Sequence, residues 1–148
     1  MNIKSIRLIF WIIMALFVII ILLMFTRGMF AGGVWFRYIM FPAFAIFLGL
    51  GIALLVLVVR KEPRGKRKTF LVLTGASVVG IPLSAVLHNL VYALFILIFG
   101  EDVWGSLGDE PVFFTLTVIV CPLGFLVGAA GAIVLAVRGR RSITVGAP

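Results

Sequence analysis

Acidic residues are scarce in this chain: five Asp and Glu in 148 residues, against thirteen Lys and Arg, and none of the five falls in a long apolar run. Histidine and cysteine occur once each, as His88 and Cys121. A lone cysteine excludes an internal disulfide, and a lone histidine excludes bis-histidine ligation of one haem within a protomer. No His or Cys pair has the spacing of a metal site, and no glycine loop has the spacing that cradles phosphate. Nucleophilic catalysis would have to rest on Cys121 or Ser84 with His88 as base, and nothing in the sequence brings them together. The expectation is a non-enzymatic protein with no cofactor.

What the chain has in abundance is hydrocarbon. Apolar residues make up 64% and charged residues 12% of it, with a mean hydropathy of +1.31. Soluble domains carry roughly 25% charged residues. Four apolar runs, at about 8–26, 38–59, 70–99 and 111–137, are each long enough to cross a hydrocarbon core of about 30 Å. They predict one all-α domain, a polytopic integral membrane protein with four transmembrane helices in an antiparallel bundle.

The first run resembles a secretory signal in its basic start and its trailing small residues, but it is longer than the apolar core of about 7–15 residues that signals carry. A retained helix is the preferred reading. The second run opens with Trp35 and Tyr38, suited to a headgroup belt, and tolerates Pro42 in its first turns. The third has about 30 uncharged residues, roughly 45 Å as a straight helix, so it must tilt, kink or project from the bilayer. Pro82, after Gly80 and Ile81, is the predicted kink. The fourth starts at Pro111 and carries Cys121 and Pro122 in its middle.

Charge falls on alternate sides of these runs. Eleven of the thirteen basic residues lie at the N-terminus (Lys4, Arg7), in a loop at 60–69 (Arg60, Lys61, Arg64, Lys66, Arg67, Lys68) and in the tail (Arg138, Arg140, Arg141). The other face has Arg27 and Arg37 with four of the five acids, Glu101, Asp102, Asp109 and Glu110, in a loop at 100–110. The positive-inside rule makes the basic face cytoplasmic, with both termini inside, and a prokaryotic cytoplasmic (inner) membrane is the expected location. The basic charge is explained by topology and by contact with anionic lipids, and nucleic acid is not an expected partner.

Three patterns are candidates for more than folding. Gly80, Ser84, His88 and Tyr92 recur every four residues and share a helix face, with Asn89 beside them. An interhelical hydrogen bond through His88 is the first reading of this stripe, a proton or solute pathway the second, and a ligand to haem or pigment the third. Small residues at the same spacing, Gly49 and Ala53 in the second run and Gly124, Gly128 and Ala132 in the fourth, allow close helix packing within the protomer or between copies. The segment EDVWGSLGDE offers Glu101, Asp102, Asp109 and Glu110 as an external cation site, although it lacks EF-hand spacing and reads first as a solvated loop. A likeness between the stretches starting at Pro42 and at Pro122 fits chance in so small an alphabet better than a duplicated hairpin.

The sequence thus predicts an accessory or assembly subunit, or a homo-oligomeric membrane component, whose partners are the bilayer, itself or a larger complex. A small transporter or channel using His88 is the alternative, and a haem- or pigment-binding subunit the second.

Overall fold

The computed structural model describes residues 3–26, 34–100, 103, 105 and 110–145, and side chains over 4–23, 38–100, 103, 105 and 110–138. The chain forms α1 (Ile3–Thr26), α2 (Val34–Lys61), α3 (Lys66–Phe99), α4 (Pro111–Thr115) and α5 (Cys121–Val145), with a wider π turn over Leu116–Val120 between the last two. No strand occurs among the described residues. Four stretches are long and apolar enough to cross a membrane: Lys4–Leu23, Tyr38–Lys61, Lys66–Phe99 and Pro111–Arg138. The fold is the expected all-α bundle.

The expected basic loop at 60–69 is shorter than its charge pattern suggests. Arg60 and Lys61 form the last turn of α2, and Lys66 begins α3, so only Glu62–Gly65 breaks the winding. Cations favour a helix C-terminus, and Lys and Arg are good helix formers, so charge alone does not end a helix. Pro63, two residues past the end of α2, does so, and Gly65 opens α3 with a φ of 153° that residues with a Cβ rarely adopt. Lys68 then reaches back across the turn, donating from Nζ to the Val59 carbonyl at 2.9 Å and closing the end of α2.

The central element is α3, packed against α2 on one side and against α4, the π turn and α5 on the other, with α1 laid on α2. Its 34 residues make it about 50 Å long, and it keeps Pro82 inside one unbroken helix. The change of winding falls in the fourth span. Pro122 has no N–H for the carbonyl four residues back, and just upstream the Cys121 N–H bonds to Leu116 O, five residues back instead of four.

Hydrocarbon supplies no hydrophobic drive between helices, so close van der Waals fit must hold them together. At the centre Phe17 of α1, Phe47 of α2 and Phe125 of α5 meet, the Phe17 and Phe125 rings 4.3 Å apart. Phe47, Leu54, Val58, Val78 and Phe125 are almost fully buried.

The small-residue stripes divide. Gly124 and Gly128 face α3, a Cβ on Gly128 lying 2.7 Å from the Thr74 backbone nitrogen and 2.9 Å from the Phe70 carbonyl, and Ala132 is buried. Gly49 faces outward, with nothing among the described residues within 4 Å of such a Cβ, and Ala53 is half-buried. The glycines that bring α2 onto α3 are Gly51, against Val78, and Gly75, against Leu55. Spacing identifies which residues share a face but not which way the face points.

Candidate functional site

The polar residues of α3 meet the fourth span step by step. Gly80 abuts Cys121, whose Sγ lies 2.7 Å from where a Gly80 Cβ would stand. One turn on, Ser84 is buried and accepts a hydrogen bond from the Thr117 hydroxyl at 2.8 Å. Its own hydroxyl donates to the Gly80 carbonyl at 2.5 Å, with the Ile81 carbonyl at 3.2 Å. A further turn on, His88 Nδ1 lies 3.4 Å from Glu110 Oε2. The antiparallel order, 80, 84, 88 against 121, 117, 110, forms a ladder along one helix interface.

Glu110 holds the outer rung in place. It stands before Pro111, which fits the first helical position because its missing N–H would have no partner there. The carboxylate caps α4, Oε1 accepting from the Val112 N–H at 2.7 Å and Oε2 from the Phe113 N–H at 2.8 Å. Burial, with the residue only 3% exposed, raises the carboxyl pKa, yet the N–H groups of Val112, Phe113 and Phe114 together with the His88 ring outweigh it. The net shift is downward from the ordinary value of 4.5, so Glu110 is ionised at neutral pH. An ionised carboxylate only accepts, so Nδ1 of His88 must be the donor, and 3.4 Å makes this a stretched bond. The Phe114 ring lies 5.8 Å and the Tyr92 ring 6.5 Å from the imidazole, centroid to centroid.

Of the predicted stripe, Gly80, Ser84, His88 and Tyr92 are gathered at this interface, and Asn89 is not. Asn89 is exposed and donates to the Ala85 carbonyl of its own helix at 2.8 Å. Of the proposed external cation site, Glu101, Asp102 and Asp109 lie outside the described residues, and Glu110 is turned inward as a cap. No group of three or more His, Cys, Asp or Glu side chains gathers as metal ligands among the described residues. Thr117 and the Glu110 cap were not anticipated as parts of the stripe, although an acid directly before a helix-opening proline is a capping signal.

Within the basic cluster, Arg60, Lys61, Arg64 and Lys66 are exposed, Lys68 is spent on Val59, and Arg67 pairs with Glu62 at 2.8 Å. Glu62 is buried, 6% exposed, and its Oε2 has no hydrogen-bond partner among the described residues. Surrounded by basic residues in the sequence, it gave no signal of its own.

Fold and site together define an integral membrane protein in which Ser84 with Thr117, and His88 with Glu110, meet between helices. No family model, curated protein or solved structure matches the chain.

Proposed function

We propose that this protein is a non-enzymatic component of a membrane assembly, an accessory subunit or a self-associating one, acting by helix contact inside the bilayer. Its basic end faces the cytoplasm, with both termini there, as the positive-inside rule requires of this charge distribution. The observation that carries the reading is the outward face of α2, where Pro42, Ala45 and Gly49 are exposed and Gly49 borders open space. Glycine in a helix interior costs about 1 kcal/mol relative to alanine, and at Gly49 no contact among the described residues offsets that cost. A helix from a second copy or another subunit would offset it through close backbone approach.

With Cys121 replaced by alanine and Ala45→Cys introduced, oxidative cross-linking in native membranes is expected to yield a discrete adduct. Gly49→Leu should abolish the adduct without lowering the melting temperature of the isolated protomer. A lone particle in lipid discs, with no adduct in membranes, would sink the proposal.

A second reading, a small transporter or channel, is favoured by the π turn opposite Ser84, since wide turns recur at functional sites. It requires solute or proton flux in liposomes that His88→Ala lowers at least about a hundredfold, the lower end of what one proton-transfer group contributes. Flux that is absent, or unchanged by the substitution, removes this reading.

A further inference from the structure

A cleft of about 140 Å³ opens between α1, α3 and α5 at the basic end of the bundle. Its walls are apolar, formed by Ile6, Phe10, Trp11, Leu71, Ile133 and Val137, and the arginines Arg7 and Arg67 stand in it as well. The volume is close to that of an apolar protein cavity that admits a benzene ring, enough for the first several carbons of an alkyl chain. Trp11 and Val137 are about half exposed, so the cleft is reached from the side, where lipid would lie.

The charge at the cleft is specific. Arg67 is held by buried Glu62 through Nη1 at 2.8 Å, while its side chain stays 41% exposed. One edge of the guanidinium is thereby fixed and the remaining N–H groups are left for an anion. Arg7, Arg67 and Glu62 sum to one positive charge, the complement of one phosphodiester. α1 and α3 both begin at this end with no acid in the first turn, and the Gly65 cap of α3 offers no side-chain bond, so both helix dipoles add to the attraction.

An apolar slot beside two cations, at headgroup depth, has the polarity of an amphiphile. We infer that this cleft binds one anionic phospholipid, with an acyl chain between Phe10, Leu71 and Ile133 and the headgroup phosphate between Arg7 and Arg67. The site is distinct from the general attraction of the exposed basic residues and independent of the α2 face.

The test uses the full chain in phosphatidylcholine vesicles containing a minority of phosphatidylglycerol, with either lipid spin-labelled on the chain. Wild type should show a motionally restricted component that prefers phosphatidylglycerol. Arg7→Gln should lower that preference about fivefold, the effect of one cation near a charged surface. Ala136→Phe, which fills the cleft and leaves the arginines in place, should abolish the preference for phosphatidylglycerol while lipid on the exposed apolar faces stays restricted. Joint Arg60→Gln and Arg64→Gln should leave the preference unchanged. The inference is overturned if that pair lowers the preference as much as Arg7→Gln, which would mean a diffuse field. It is also overturned if Ala136→Phe leaves the preference intact, or if wild type shows no preference.

Discussion

Gly128→Ala is expected to destabilise the bundle by about 1–3 kcal/mol, the range for forcing one extra carbon into a closed core. The atoms that the new methyl meets, the Thr74 nitrogen at 2.7 Å and the Phe70 carbonyl at 2.9 Å, belong to the backbone of α3 and cannot swing aside. Relief requires α3 and α5 to separate, which loosens the Ser84 to Thr117 bond on the same interface. Gly49→Ala meets nothing within 4 Å among the described residues and should leave the protomer unchanged or stabilise it by up to about 1 kcal/mol through helix propensity. Thermal unfolding of both variants in one detergent decides the matter. Equal melting temperatures would mean that α3 and α5 do not meet at Gly128.

Glu110→Ala removes a helix cap and the acceptor for His88 in one step, and a lost cap alone costs about 0.5–2 kcal/mol. The pH dependence gives a sharper signature. The folded carboxyl titrates below its ordinary value of 4.5, so its contribution to stability is complete above that value. That contribution is lost as pH falls through the depressed folded value. Wild type should therefore be more stable than Glu110→Gln by a constant margin at neutral pH, and the margin should close on acidification below about 4.5. Denaturant titrations of the two proteins at several pH values measure it. A margin that widens in acid would show that the carboxyl is protonated in the folded protein and that the cap geometry is wrong.

The fold was legible in the sequence because hydrocarbon as solvent leaves few alternatives. A backbone in lipid must bond to itself, so long uncharged runs become helices and the charges mark their ends. The stripe through Gly80, Ser84 and His88 was legible for the same reason, since spacing by four defines a face. Its partners were harder to find. Thr117 lies in an irregular turn where ordinary helical spacing fails, and Glu110 follows Asp109, so it passed for a solvated acid. Direction was the least legible property: Gly49 and Gly51 are two positions apart in one helix, and only three-dimensional packing shows that Gly51 meets α3 while Gly49 looks outward.

The π turn at Leu116–Val120 bears on how this chain tolerates change in length. A wide turn accommodates one more residue than regular winding does, so the two segments flanking it are indexed separately against α3. Excising one residue between 116 and 120 would restore ordinary winding and keep Glu110 at His88 with Gly128 seated, whereas excising one from the regular winding after Cys121 would turn the two halves of the rod by about 100° relative to each other. The last rod can therefore lose a single residue at that turn and nowhere else along its length without turning a face away from α3.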